Sequence, residues 1–409
     1  MRGKKLFYIT LLCLSAAIAA FLMFGADIEH SVVGYGDMAA NPATVASISI
    51  STPEIPVAET IIPEVIIPEN DFPAPDKVKA IYATSWSASS RSKMDYLYSV
   101  IERTEANAIV VDIKDYSGLI AYSTDDPVIS KLGTEEVRIR DVGKLVADMH
   151  ARGIYTIARV VVFQDPAFAA IRPDLAVKSK KTGSVWLDNK DLAWMDPSSK
   201  EVWDYNIRVA ENAFSKGFDE VNFDYIRFPS DGNLSDMEFP FNGSGRTRRE
   251  IMKDFFTYLR GSLEGRVISI DMFGLVTTAS DDMGIGQYLE DAFGNFDFIC
   301  PMVYPSHFAS GFIGYTEPAA YPYEVIKYSI DQAEKRLSSF VSIDTAEIPE
   351  KTKISSKMRP WIQDFSLGYT YGKDEVSLQI KAITESSDNG WMIWSPSNNY
   401  TEAGFTENR

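Results

Sequence analysis

From residue 77 onward, short and strongly apolar runs alternate with longer amphipathic stretches, and this pattern constrains the fold more than any other feature. Short apolar runs that alternate with helical patterns are typical of a parallel β-sheet covered by helices. We count eight such runs, which begin near Ala80, Ala108, Ile154, Glu220, Val267, Phe298, Met358 and Trp391. The sequence therefore predicts an α/β fold.

Glycines separate the predicted helices from the strands that follow them, which gives a repeated unit of helix, glycine and strand. Gly153, Gly217, Gly265 and Gly390 each come just before an apolar run, where a helix can end with a residue of left-handed conformation. Eight units without a glycine-rich phosphate loop favour a closed (β/α)8 TIM barrel over an open, doubly wound sheet. Few residues remain after the last run, so we expect the barrel to close with or without a full eighth helix.

The first 76 residues lack this pattern and divide into two segments. Basic residues precede an uncharged apolar run at residues 6–26, whose length suits either a membrane-spanning helix or a signal peptide. Residues 27–76 contain no Lys or Arg and are rich in proline, which predicts a disordered linker. We expect segments at 1–26 and 27–76, a folded domain at 77–409, and an extracytoplasmic protein that is either anchored by residues 6–26 or secreted after cleavage.

The overall charge and the scarcity of cysteine and histidine restrict the classes of partner. A formal net charge of -17 disfavours nucleic acid and anionic lipid, so any membrane contact is expected through the N-terminal segment only. Two cysteines give no disulfide framework. Three widely separated histidines predict no metal site, and no cofactor motif is present.

The most informative polar residues break the fourth and fifth apolar runs at their ends. Period-two alternation turns Asn222 and Asp224 toward the barrel axis, and it does the same for Asp271 one strand later. Burying a carboxylate in the mouth of a barrel costs free energy unless it forms an ion pair or takes part in the function of the protein. Arg227 is near enough in sequence to pair with Asp224, so an ordering ion pair is the alternative to a catalytic role.

Two carboxylates that flank the bond are what cleavage of a glycosidic bond requires. Asp112, at the end of the second run, is a third acid candidate. Aromatic and polar side chains at strand ends or in loops are candidates for sugar contact. They are Trp86, Trp186, Tyr225, Tyr304, His307 and Trp394.

Several motifs resemble those of a bacterial family described as glycosyl hydrolases, formerly a domain of unknown function. The matching segments are 217–229, Val111–Lys114, Ala158–Arg159 with Phe163–Asp165, Asp271–Gly274 and Pro301–His307. The family is regarded as a distant relative of the α-amylase-like barrels, in which an aspartate that ends the fourth strand is the nucleophile and a glutamate that ends the fifth is the acid.

The resemblance implies catalytic roles for the same residues. Asp224 would attack the anomeric carbon or activate water, and Asp271 or Asp112 would donate the proton. Arg159, Arg227 and Asn222 would fix charge and orientation, while Tyr304 and His307 would line the sugar site. Two alternatives remain at this stage: a barrel that binds a polysaccharide without cleaving it, and a metal-assisted polysaccharide deacetylase.

Overall fold

The computed structural model describes residues 72–243, 245–344, 357–387 and 389–406. The predicted N-terminal segment 1–26, and the linker 27–76 except its last five residues, lie outside these ranges. None of the helices in the described ranges is long and apolar enough to cross a lipid bilayer.

Eight parallel strands form a closed barrel, which confirms the predicted (β/α)8 fold. In chain order they are β1 (Val78–Ala83), β2 (Ala108–Lys114), β3 (Tyr155–Val161), β4 (Glu220–Asp224), β5 (Ile268–Phe273), β6 (Phe298–Met302), β7 (Trp361–Gln363) and β8 (Gly390–Trp394). Each strand pairs with the next one along the chain, and β8 pairs with β1 to close the barrel.

A helix follows each of the first seven strands. These helices are α1 (Arg91–Arg103), α2 (Val142–His150), α3 (Lys200–Ser215), α4 (Arg248–Ser262), α5 (Leu289–Phe293), α6 (Pro322–Asp344) and α7 (Lys373–Thr384). Shorter helices lie in the loops at Ser85–Ser89, Pro127–Leu132 and Pro166–Ile171. After β8, the described residues form a single 3-10 turn at Glu402–Gly404, so the barrel closes without a full eighth helix.

The predicted boundary glycines adopt the left-handed conformation. Gly153, Gly217, Gly265 and Gly390 all have positive φ angles. At Gly390 the requirement is also steric, because a Cβ atom would lie 2.0 Å from the carbonyl oxygen of Val78. Glycine at this position therefore allows β8 to approach β1 and complete the barrel.

Side chains alternate between the inside of the barrel and the helical layer, as the period-two pattern predicts. Val221 and Phe223 of β4 pack in the large cluster between strands and helices. Tyr155, Cys300 and Met392 belong to a separate cluster inside the barrel. The even-numbered residues of β4 consequently point to the barrel axis.

A buried ion pair crosses the lower part of the barrel interior. Arg359, just before β7, donates to the carboxylate of Glu220, and both side chains are fully buried. Ser269 and Tyr155 also donate to Glu220. The Arg359 guanidinium lies 4.2 Å from the ring centroid of Phe298. In this network each buried charge is compensated by its partner, so loss of either one would leave the other buried and unpaired.

We expect Arg359→Met to lower the free energy of unfolding by about 3–5 kcal/mol, because it leaves the Glu220 carboxylate buried without its cation. Urea denaturation followed by circular dichroism measures the change. Lys144→Met is the matched control, since Lys144 pairs with Asp148 on the exposed surface of α2. Its loss should cost less than about 1 kcal/mol. Equal losses of unfolding free energy in the two variants would show that the Arg359–Glu220 pair does not stabilise the fold more than a surface pair does.

Candidate active site

A cleft of about 300 Å³ opens at the carboxyl ends of the barrel strands, where TIM-barrel enzymes hold their reacting groups. Its walls are formed by Arg159, Lys190, Asp224, Tyr225, Arg227, Asp271, Phe273, Gly274, Leu275, Met302, Tyr304, His307, Phe308, Trp361, Phe365 and Trp394. Two of these are acids: Asp224 is the last residue of β4, and Asp271 lies two residues before the end of the neighbouring strand β5. The structure thus brings Asp224 and Asp271 into one cleft, as the sequence analysis anticipated.

Arg159 of β3 connects the acids at the floor of the cleft. One terminal nitrogen donates to Asp112 over 2.6 Å, and the other donates to Asp224. Its Nε lies 3.5 Å from Oδ2 of Asp271, a looser contact. The guanidinium is nearly fully buried, so its charge acts on the acids with little screening by water.

Asp271 is held in an environment that favours its protonated form. It is 1% exposed, and burial together with the charge of Asp224 raises its pKa to about 8. Oδ1 accepts hydrogen bonds from Asn222 Nδ2 (2.9 Å) and Trp361 Nε1 (2.6 Å). Oδ2 has no hydrogen-bond partner among the described residues and is therefore the oxygen available to a substrate.

Asp224 has different partners. Its Oδ2 accepts from Arg159, and its Oδ1 accepts from the backbone N–H of Tyr225 over 2.6 Å. Tyr225 makes this contact with a φ angle of +50°, a conformation that non-glycine residues rarely adopt. Backbone strain of this kind is concentrated at functional sites, where the surrounding structure holds it in place. Both partners of Asp224 are therefore donors, one a cation and the other a backbone N–H.

Asp112 does not line the cleft, although the sequence made it a candidate proton donor. Its Oδ1 accepts from Arg159, and its Oδ2 accepts from the hydroxyl of Tyr82. With both oxygens engaged and the side chain buried, Asp112 holds Arg159 in place and is not positioned to reach a substrate.

The predicted sugar-binding residues divide between the cleft and other locations. Tyr304, His307 and Trp394 line the cleft. Trp186 is placed differently from the expectation: it is buried among the loops, where its Nε1 donates to the carbonyl of Asn233. Trp86 also lies outside the cleft, and the residue is 61% exposed.

Arg227 does not form the ion pair with Asp224 that was the alternative to a catalytic role. It lines the cleft, but no carboxylate of the described chain lies within 4.0 Å of it, so it does not pair with Asp224. Its guanidinium instead lies 4.9 Å from the ring centroid of Trp194 and 4.6 Å from that of Phe273.

Three residues that bring polar groups to the site were not predicted. Tyr82 is the inward-facing residue at the end of β1, so the same alternation that indicated Asp224 could have identified it. Trp361 lines the cleft and bonds Asp271, yet an apolar run that contains a tryptophan reads as ordinary core. Lys190 lies in a long loop, where no periodic signal exists.

Residues 80–400 match the sequence profile of a family described as "Putative glycosyl hydrolase domain". The chain belongs to this family. The match covers almost the whole folded region, including every strand that contributes to the cleft, and it confirms the resemblance recognised in the sequence. No curated protein matches the sequence significantly.

Three solved structures are similar to this chain, and the first of them supports the barrel fold. The glycoside hydrolase domain of PgaB (BpsB) from Bordetella bronchiseptica is 12% identical, with a TM-score of 0.55 over 82% of this chain and 100% of that one. A hypothetical protein from Ruminiclostridium thermocellum is 38% identical over 50% of this chain and 98% of its own, with a TM-score of 0.44. An α-galactosidase from Thermus thermophilus is 11% identical over 81% of this chain and 64% of its own, with a TM-score of 0.48.

Proposed function

We propose that this protein is an extracytoplasmic glycoside hydrolase that cleaves a cell-envelope or extracellular polysaccharide with two carboxylates. The observation that carries the proposal is the contrast between the two acids of the cleft. Asp224 contacts a cation and a backbone N–H, whereas burial raises the pKa of Asp271 to about 8. Acids in such unlike environments suit the two roles of a glycosidase, a charged group and a protonated one.

The chemistry assigns one role to each acid. Asp224 attacks the anomeric carbon or activates a water molecule, and its negative charge stabilises the positive charge that develops on the sugar ring. Asp271 gives its proton to the leaving glycosidic oxygen through Oδ2. Arg159, held by Asp112, fixes the orientation of the Asp224 carboxylate.

A barrel that only binds polysaccharide is the first alternative. It would be favoured if Asp271 were held in a tight ion pair. The contact with Arg159 is 3.5 Å long, and Nε of Arg159 makes no hydrogen bond within the described part of the chain. Asp271 is thus free to exchange a proton, which supports the hydrolase.

The second alternative, a metal-assisted deacetylase, would need a group of ligands. Within the described residues no three His, Cys, Asp or Glu side chains lie close enough together to hold a metal ion. Asp112 and Asp224 face the guanidinium of Arg159 instead.

The direction in which the chain enters the barrel fits a cleft that faces away from an N-terminal anchor. Residues 72–77 approach the start of β1 at the face opposite the cleft, and Phe72 stacks on His150 at the end of α2 with ring centroids 4.3 Å apart. If the apolar run at residues 6–26 anchors the protein, the cleft would face away from the membrane. This arrangement gives the site access to an extended polymer.

Trp394 offers a flat surface for a sugar ring beside the acids. It lines the cleft and stacks on Tyr82 with ring centroids 4.0 Å apart. We expect Trp394→Ala to raise KM about tenfold or more, because the sugar loses the apolar surface of the indole. Trp86→Ala is the control, since Trp86 is exposed outside the cleft. If the two substitutions change the KM for an oligosaccharide equally, Trp394 does not form a sugar-binding subsite.

The direct test is hydrolysis by the full-length protein. Reducing ends released from a panel of bacterial envelope and extracellular polysaccharides are measured beside Asp224→Asn and Asp271→Asn variants whose folding has been verified. Release by the unmodified protein that both substitutions abolish supports the proposal. Binding of a polysaccharide without any release of reducing ends would favour the binding module.

A further inference from the structure

One wall of the cleft carries a buried cation that the catalytic roles do not use. Arg227 is 7% exposed, and only its Nη1 is hydrogen-bonded in the described structure, to the carbonyl of Phe228 (3.0 Å) and the hydroxyl of Ser230 (3.2 Å). Nε and Nη2 have no partner there, and neither is among the fully enclosed polar atoms without a hydrogen bond. This edge of the guanidinium is therefore open to the cleft.

The surroundings hold Arg227 in place without neutralising it. Its guanidinium lies over the rings of Trp194 and Phe273. Burial lowers the pKa of Arg227, which is the mark of a cation whose lost hydration is incompletely replaced. Arginine can also donate to the hydroxyl groups of a neutral sugar, but a free Nε and Nη2 edge matches an anion with two oxygens in both charge and geometry.

A second cation belongs to the same wall. Lys190 lines the cleft from the loop between β3 and α3. Asp188 fixes this loop, because its Oδ1 accepts from the backbone N–H groups of Lys190 (2.8 Å) and Leu192 (3.0 Å). Oδ2 of Asp188 accepts from Nε1 of Trp194, the ring that lies against Arg227. Asp188 thus links the backbone of Lys190 to the Trp194 ring against which Arg227 lies.

The charges of the cleft differ from those of the whole chain. The chain has a formal net charge of -17. The cleft walls contain three cationic side chains (Arg159, Lys190 and Arg227) and two acids (Asp224 and Asp271). Arg159 is occupied by Asp112 and Asp224, which leaves Arg227 and Lys190 available to a ligand.

We propose that Arg227 and Lys190 bind an anionic group of the substrate, either a sugar carboxylate or a phosphate ester, so that the substrate is an acidic polysaccharide. This inference rests on the proposed function, because it names the substrate class of the same cleft. The anion would be recognised by the open edge of Arg227 and the ammonium group of Lys190, beside the bond that Asp224 and Asp271 cleave.

Matched polymers test the charge preference. Binding to the full-length Asp224→Asn protein is measured by affinity electrophoresis with polygalacturonate, alginate and hyaluronan, each beside its carboxyl-reduced form, and with a glycerol-phosphate wall polymer. The inactive background separates binding from hydrolysis. We expect at least one acidic polymer to bind about tenfold or more tightly than its uncharged form. Preference within the uronate pairs identifies a carboxylate, whereas preference for the wall polymer identifies a phosphate.

Variants locate the preference at the two cations. Lys190→Gln and Arg227→Gln should each reduce the affinity for the acidic polymer by a larger factor than the affinity for its uncharged form. Lys181→Gln removes the same charge from an exposed position of the same loop outside the cleft and should change neither affinity. If Arg227→Gln perturbs folding, Lys190→Gln still gives the result, because its side chain is exposed.

The outcomes separate this inference from the proposed function. Equal affinities for charged and uncharged polymers across the panel, no binding of any acidic polymer, or equal loss of both affinities in the Arg227 variant would overturn the inference. Hydrolysis confined to neutral polysaccharides would uphold the hydrolase and reject the acidic substrate. Charge-dependent binding without hydrolysis by the unmodified protein would uphold the anion site and reject the hydrolase.

Discussion

Asp224→Asn should lower kcat by about 10⁴-fold or more while the protein stays folded. The amide cannot attack the anomeric carbon or take a proton from water, so the first chemical step is lost. Its oxygen can still accept one of the two hydrogen bonds that Asp224 receives from Tyr225 and Arg159. The rate of reducing-end release at saturating substrate, measured beside a thermal unfolding curve, separates loss of chemistry from loss of structure.

Asp364→Asn is the matched control for this experiment. Asp364 follows β7 at the same end of the barrel and is buried, but it does not line the cleft. Its oxygens accept from the backbone N–H and the hydroxyl of Thr401 over 2.6 and 2.7 Å. This substitution should affect stability and leave kcat close to the unmodified value. Full activity of the Asp224 variant, or equal kcat losses in both variants, would remove Asp224 from the mechanism.

The fold could be predicted because its determinants are local and repeated. The expected starts of all eight strands lie within three residues of the observed ones. The largest difference is at β7, which was expected near Met358 and begins at Trp361. Pro360 separates the two positions and has no N–H to donate, so Met358 makes only an isolated bridge to Ile299.

The central part of the site was also predictable, for the same reason. Asn222, Asp224 and Asp271 lie within strands, where alternation fixes the direction of each side chain. Beyond the strand the rule fails. The positive φ of Tyr225 ends the alternation directly after Asp224. The inside-outside pattern of the strand therefore does not predict the direction of the Arg227 side chain.

The loop that contains Trp186 has a structure of its own that no periodic signal reveals. Residues Lys178–Ser179 pair with Met237–Glu238 in a small antiparallel sheet above the barrel. Trp186 packs against Gly232 in this region, where a Cβ atom would lie 2.8 Å from the indole. A tryptophan in a loop therefore forms a small core between two loops instead of a sugar platform. Tertiary contacts between residues distant in sequence decide such positions.

The pH dependence of the rate should identify Asp271 as the acid. A proton donor must be protonated, and the pKa of Asp271 is raised to about 8 by burial and by the charge of Asp224. We therefore expect kcat to be maintained below that pH and to fall as the pH rises through it. Tyr304, which also lines the cleft, does not account for this limb, because burial and the nearby acids raise its pKa well above 10.

Trp361→Phe should move the alkaline limb of the kcat profile upward by about one pH unit. The indole N–H donates to Oδ1 of Asp271 over 2.6 Å, a bond that stabilises the carboxylate and thereby lowers the pKa of Asp271. Removing the donor leaves the protonated form favoured to a higher pH, and a hydrogen bond to a charged group is of the right size for a shift of this order.

Trp391→Phe separates this effect from a general loss of packing. Trp391 is equally buried, but its indole nitrogen has no hydrogen-bond partner among the described residues, and its ring packs in the layer between strands and helices. The control should leave the midpoint of the limb unchanged even if it lowers kcat. A downward shift in the Trp361 variant, or the same shift in both, would mean that a group other than Asp271 donates the proton. An upward shift confined to Trp361→Phe ties the titrating group to the acid that the indole contacts.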